Sequence, residues 1–237
     1  MKTLSKLFLS VVLLAGFASC EKIVGEGPVI TENRPTGNFS SVASAISAHV
    51  YYKQDPDYKV EVAAQQNILN VLETHIVGNE LVIKFRNDVR VGSHERITVH
   101  VSSPTINGLR LSGSGNIIAS DSISSDNMNL TISGSGSISL HSLKATSLDA
   151  NISGSGDISV LSGQLHTGKF RISGSGNINT INVPAYSVNT TTSGSGKISV
   201  NVSHDLDVTI SGSGSVVYKG TPEINTHISG SGKIVHQ

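Results

Sequence analysis

The tetrad Ser-Gly-Ser-Gly occurs seven times in the second half of the chain, starting at Ser112, Ser133, Ser153, Ser173, Ser193, Ser211 and Ser229. Successive starts are 21, 20, 20, 20, 18 and 18 residues apart. A Ser-Gly run alone reads as a flexible linker, but the flanking residues exclude that. One residue before the tetrads stand Leu111, Ile132, Ile152, Ile172, Thr192, Ile210 and Ile228. Five residues after the first serine stand Ile117, Ile138, Ile158, Ile178, Ile198, Val216 and Ile234. Further apolar columns lie at offsets −3 and +7, through Leu109, Leu130 and Phe170 and through Leu140, Val160 and Val200. All these offsets are odd, which is the period of a strand. The same parity puts both tetrad glycines on the apolar face and both serines on the opposite face. The tetrad therefore reads as a glycine corner within one long bent strand.

Stacked columns at a period of 18–21 residues predict an all-β fold, a right-handed parallel β-helix of about seven regular coils. A horseshoe of leucine-rich type needs a helical segment in each repeat, and the spacers Ser120–Asn127 and Ser199–Asp205 show no helical period. A propeller blade needs roughly 40 residues. One coil alone cannot offset an ordering entropy of about 1–2 kcal/mol per residue, so only the stack is stable. A hydrophobic fraction of 37% fits a thin core shared by many short strands.

Residues 37–107 also alternate, at Val60 and Val62, at Leu81, Ile83 and Phe85, and at Ile97, Val99 and Val101. Asp55-Pro56-Asp57 and Gly78-Asn79 are turn signals, and 65–74 has room for one helical turn. These residues are expected to form irregular early coils of the same helix, with a separate small β domain as the alternative. The regular repeats then occupy 108–237.

The N-terminus reads as an export signal. Lys2 and Lys6 precede an apolar stretch from Leu7 to Ala18, shorter than the roughly 20 residues of a membrane span and proportioned like a secretory leader. The stretch ends at Phe17-Ala18-Ser19-Cys20, which resembles a bacterial lipobox with Phe17 in place of the usual leucine. Residues 1–19 are expected to be a signal peptide and Cys20 a lipidated N-terminus. Residues 20–36, with Gly and Pro and no alternation, are expected to be a tether. Two acyl chains would hold the protein to the membrane, since no basic cluster flanks Cys20.

The leader, the strand-rich opening, Ser103-Pro104 before Leu109, and Gly-Asn-Ile at Gly115-Asn116-Ile117 and again at Gly176-Asn177-Ile178 together resemble the head GIN domain family of Bacteroidetes. The resemblance covers about 37–237. It implies a β-helical fold and an adhesin-like role at the cell envelope.

Candidate chemistry is sparse. The formal charge of zero leaves no electrostatic footprint for nucleic acid, and a single cysteine excludes a Cys-rich metal site. The nine histidines have no metal-ligand spacing. Those in the repeat, His141, His166, His204, His227 and His236, sit at different offsets and are not expected to stack. No cofactor, metal or catalytic residue is assigned. Asp149, Asp157, Asp205 and Asp207 are read as solvated carboxylates, and Asp121-Ser122-Ile123 resembles the Bacteroidetes O-glycosylation sequon, with Ser122 as acceptor. The function expected is an outer-membrane lipoprotein, facing the periplasm or the surface, whose rigid β-helix binds a glycan or a protein without catalysis. A polysaccharide-active β-helix enzyme is the alternative. The coil ending at Gln237 has nothing after Ile234 to cover it, so a homodimer through that end is also expected.

Overall fold

The computed structural model describes residues 21–237. The leader 1–19 and the lipidation site Cys20 lie outside the described residues. Strands β1 (Glu21–Ile23), β2 (Val29–Arg34), β3 (Ser41–Ser44), β4 (His49–Gln54) and β5 (Lys59–Gln65) lead into one helical turn, α1 (Gln66–Leu69). Then come β6 (Leu72–Val77), β7 (Glu80–Phe85), β8 (Val89–Val91), β9 (Thr98–Ser103) and β10 (Gly108–Gly113). The repeats form β11 (Asn116–Gly134), β12 (Ser137–Gly154), β13 (Asp157–Val160), β14 (Gly163–Gly174), β15 (Asn177–Gly194) and β16 (Lys197–Gly212). The chain closes with β17 (Ser215–Lys219), β18 (Glu223–Gly230) and β19 (Lys233–His236). This is a parallel β-solenoid of about six turns, because seven tetrads bound six intervals.

The columns expected from the tetrad offsets are the hydrogen-bonded registers of the stack. Leu111, Ile132, Ile152, Ile172, Thr192, Ile210 and Ile228 lie opposite one another, coil to coil. So do Ile117, Ile138, Ile158, Ile178, Ile198, Val216 and Ile234. Each fully buried Ile or Leu contributes about 1.5–3 kcal/mol, and the parallel register is fixed because a one-residue slip would turn every such column outward. Phe170, the largest fully buried side chain, fits because its column neighbours are Ala150 and Thr190. Its ring also occupies the space over Gly168, where an added Cβ would come within 2.8 Å of the ring.

The tetrad is a true corner and not a continuous bent strand. Each strand stops at the first glycine, and the next begins at the residue after the second. At Gly134 φ is 144°, which is Gly-only territory, and a Cβ there would lie 2.5 Å from the Gly113 carbonyl oxygen. Main-chain bonds still cross the corner between coils, for example from Ser155 N–H to Gly134 C=O at 3.0 Å and from Asp157 N–H to Gly136 C=O at 3.1 Å. Both serines of the regular corners face solvent, as their parity requires.

The sheet runs without interruption from the N-terminal strands into the repeats. β3 pairs in parallel with β10, and β4 with β11, while Phe39 through Val216 share one hydrophobic cluster. The N-terminal end is closed by antiparallel strands, β5 on β9, β2 on β5, and β6 on β7. The segment 20–36 departs from the expected tether, since its described part contains β1 and β2. Val29-Ile30-Thr31 is a β-branched run, and β2 lies along all but the first residue of β5 with Arg34 donating to the Leu69 carbonyl at 2.8 Å. At the other end, β18 is exposed throughout and Ile228 is 40% exposed.

Candidate functional site

Over much of its exterior, the solenoid satisfies its own polar side chains between coils. Ser122 donates to Ser142 at 3.3 Å and Ser147 donates to Asn127 at 2.7 Å. Of the four carboxylates singled out from the sequence, three are engaged between coils and Asp205 by its chain neighbour. Asp149 accepts from Asn151 at 2.7 Å and faces Arg171 at 3.4 Å. Asp157 accepts from Asn177 at 2.7 Å, Asp207 accepts from Asn225 at 3.2 Å, and Asp205 pairs with His204 at 2.9 Å. They are spread over several coils and do not converge on a cleft. Ser122 is exposed, beside an irregularity in the β11–β12 register.

One corner breaks this pattern. Asp126, Thr146, His166 and Tyr186 are each skipped by the ladder register, so they stand outward at the same corner of four successive coils. His166 and Tyr186 stack at 5.2 Å with planes 22° apart, and Tyr186 and His204 at 4.5 Å and 20°. The histidines, expected not to stack, do so through an intervening tyrosine. His166 and Tyr186 share an offset of 13 residues from their tetrads, whereas His204 sits at 11. The shorter coil restores the alignment, because Ala185 pairs with Val202 and Ser187 with Asp205, leaving Tyr186 opposite Ser203 and His204.

Beside this stack runs a trough of about 570 Å³. Its floor is Ser125, Ala145, Leu165 and Ala185, one from each of four coils in register. One wall carries Ser124, Lys144, Gln164 and Pro184, and the other carries Asp126, Thr146, His166 and Tyr186. A volume of this size lies within the range of small-molecule sites, about 300–1,000 Å³. The trough crosses the strands and follows the solenoid axis.

A second stack, Tyr51 on His100 at 5.1 Å and 16°, lies over the N-terminal coils beside a cavity of about 460 Å³. Both of its lysines are already paired, Lys59 with Glu61 at 2.7 Å. Lys53 bonds Asp55 at 2.8 Å, which lowers the Asp55 carboxyl below its ordinary range and raises Lys53. Burial pushes the neighbouring Tyr52 hydroxyl up to about 12, although Ser103 lies 3.0 Å away. Among the described residues, no group of three or more His, Cys, Asp and Glu side chains comes together as a metal site.

A family profile described as "Putative auto-transporter adhesin, head GIN domain" matches residues 38–222. The chain belongs to this family. Solved structures share the fold of this head GIN domain protein. A putative adhesin from Bacteroides fragilis superposes with a TM-score of 0.84 at 24% identity, covering 91% of this chain and 100% of its own. A putative lipid binding protein from Parabacteroides distasonis gives 0.75 at 24% identity, covering 92% and 100%. A putative adhesin from Parabacteroides merdae gives 0.73 at 20% identity, covering 92% and 99%. No curated protein matches the sequence. The family description makes this head GIN domain protein an adhesin-like module of the cell envelope or surface, and no helix among its described residues is long and apolar enough to cross a membrane.

Proposed function

We propose that this head GIN domain protein is a non-catalytic adhesion module, exported and held in the outer membrane by lipid on Cys20, that presents its axial trough to a glycan or protein ligand. The observation that carries the reading is the trough itself, a ready-made groove built from the same positions of successive coils beside a stacked His166–Tyr186–His204 column. The adhesin description of the family supports the adhesive role. The enzymatic alternative draws little support from the site. Glycoside hydrolysis ordinarily uses two carboxyl groups flanking the bond, and the trough is lined by one, Asp126.

Cells displaying the chain should attach to a surface coated with ligand, and cells lacking it should not. Equal attachment would refute the adhesive role. Purified protein incubated with polysaccharides should release no reducing ends; release abolished by Asp126→Ala would establish the enzyme instead. Cys20→Ser should move the protein out of the membrane fraction, and retention there would overturn the anchor. Mass spectrometry of exported protein tests Ser122, where a glycan is expected on the exposed hydroxyl and an unmodified peptide would reject it.

A further inference from the structure

We infer that the trough binds a neutral, hydroxyl-rich saccharide chain lying along the solenoid axis, with His166, braced from behind by Tyr186, as its anchor. This rests on the adhesion reading and narrows it from two ligand classes to one.

Four observations point to a saccharide. The first is direction and spacing. The trough follows the axis, so its walls repeat at the coil spacing of about 4.8 Å, comparable with the advance of one pyranose unit along a linear chain. Successive sugar units would therefore meet equivalent positions on successive coils.

The second is what the floor withholds. The strands beneath the trough are paired coil to coil, with Ser125 opposite Ala145, Ala145 opposite Leu165, and Leu165 opposite Ala185. No open strand edge lies there, so an extended peptide cannot add to the sheet as it does in β-augmentation. The floor, three small residues and the buried Leu165, also gives no deep apolar pocket of the kind that anchors protein hot spots.

The third is unspent hydrogen-bonding capacity. The flanking columns are closed by side-chain bonds, Ser122 with Ser142 and Asn127 with Ser147. The side chains of Asp126, Lys144, Thr146 and Gln164, between those columns, make no hydrogen bond to one another or to other described residues. Together they offer an ammonium, an amide, a hydroxyl and a carboxylate. That mixture of donors and acceptors suits sugar hydroxyls, which serve as both. Lys144 and Asp126 balance in charge, which disfavours a polyanion.

The fourth is the rigid ring. Tyr186 is 43% exposed yet held between two imidazoles at 5.2 and 4.5 Å. An aromatic side chain already fixed in place loses little entropy on binding. The face of His166 turned towards Thr146 looks along the trough, because Thr146 and Asp126 hold the two preceding corner positions. The C–H face of a sugar packs against such a ring.

The test uses the purified full-length chain in detergent and isothermal titration with cellohexaose, xylohexaose, chitohexaose and mannohexaose, together with polygalacturonate and a panel of extracellular-matrix proteins. His166→Ala and Gln164→Ala change exposed residues, and Tyr51→Ala at the other stack is the control. Unfolding midpoints confirm that each variant is folded. The expected result is binding of at least one neutral oligosaccharide, weakened about tenfold or more by His166→Ala, weakened by Gln164→Ala and unaffected by Tyr51→Ala. Saccharide binding indifferent to His166→Ala would overturn the site. Binding of a matrix protein alone, lost in His166→Ala, would overturn the saccharide and leave the adhesion reading standing. No binding by any probe, with cell attachment unchanged by removing the protein, would overturn both.

Discussion

Replacing Thr192 by valine should stabilise the protein by about 1–2 kcal/mol. Thr192 is fully buried in the column between Ile172 and Ile210. Its hydroxyl is buried and has no hydrogen-bond partner. Leaving such a group unpaired costs about 1–3 kcal/mol. Valine keeps the β-branch and nearly the same volume, so it opens no cavity and strains no rotamer. Its extra methyl replaces the hydroxyl in an apolar column and adds roughly 0.8 kcal/mol of burial. The net gain is expected at about 1–2 kcal/mol, at or below the bottom of the combined range, because local relaxation already recovers some of the penalty. Thr190 is the internal control. It is as buried as Thr192, but its hydroxyl donates to the Asp207 carbonyl at 3.3 Å. Thr190→Val gains the same methyl and loses a bond worth about 0.5–1.5 kcal/mol, so its net effect should lie near zero. Guanidinium unfolding followed by far-ultraviolet circular dichroism would compare the midpoints at unchanged slope. The two variants should differ by about 1 kcal/mol, with Thr192→Val the more stable. A Thr192→Val protein no more stable than wild type, or no more stable than Thr190→Val, would mean that the Thr192 hydroxyl is paired, and the reasoning would fail.

Gly134→Ala meets both a backbone restriction and a contact with the Gly113 carbonyl, at about 1–3 kcal/mol for each. A loss of about 3–5 kcal/mol in chemical unfolding is expected, while the exposed Ser135→Ala should stay within about 0.5 kcal/mol; equal midpoints would refute the corner argument. Tyr52, 3% exposed, keeps its proton up to about pH 12 in the fold and titrates near its ordinary 10 when unfolded. Its folded value is raised, so its contribution is full below pH 10 and falls by about 2–3 kcal/mol as pH rises from 10 to 12. Tyr52→Phe should flatten that alkaline fall, and a stability profile identical to wild type would show that Tyr52 does not govern it. The exposed inner residues of β18 and the half-buried Ile234 of β19 are expected to pair two copies end to end. Light scattering across a concentration series should show a dimer that Ile228→Asp and Ile234→Asp convert to monomer, and a wild-type monomer at every concentration would reject the pairing.

The fold was legible because the tetrad fixes both a parity and a length. Ile117 and Ile138 have the same offset from their tetrads and therefore the same place in the stack. The same logic exposed Thr192, whose side chain breaks an otherwise aliphatic column. Where no repeat gave a frame, reading was weaker. The strands of 21–34 were missed because β2 buries little side-chain surface and is held mainly by its antiparallel main-chain bonds to β5, which leave no hydrophobic alternation to see. The aromatic stack was missed for a different reason. Aligning His204 with Tyr186 requires knowing that the fifth coil loses its two residues between the tetrad and the corner, a fact carried by the register shifts and not by the tetrad offsets. Searching for tyrosine and histidine together, at offsets allowed to slide by two residues, would have brought His166, Tyr186 and His204 into one column.

That contrast separates positions that build the solenoid from positions free to serve a ligand. Columns at constant offsets are constrained by contact with the coil on either side, as the glycine corner is by the Gly113 carbonyl oxygen, 2.5 Å from where a Cβ on Gly134 would lie. Their uniformity follows from packing and needs no functional cause. The corner of Asp126, Thr146, His166, Tyr186 and His204 has the opposite character. It is skipped by the ladder, it points outward, and its side chain changes in size and charge from coil to coil. Nothing in the stack requires a tyrosine at 186 between two histidines, since serines, threonines and asparagines occupy many outward positions without loss of the fold. A side chain that packing does not demand, fixed in place by its neighbours and facing an open trough, is where selection for a ligand can act without disturbing the coils beneath it.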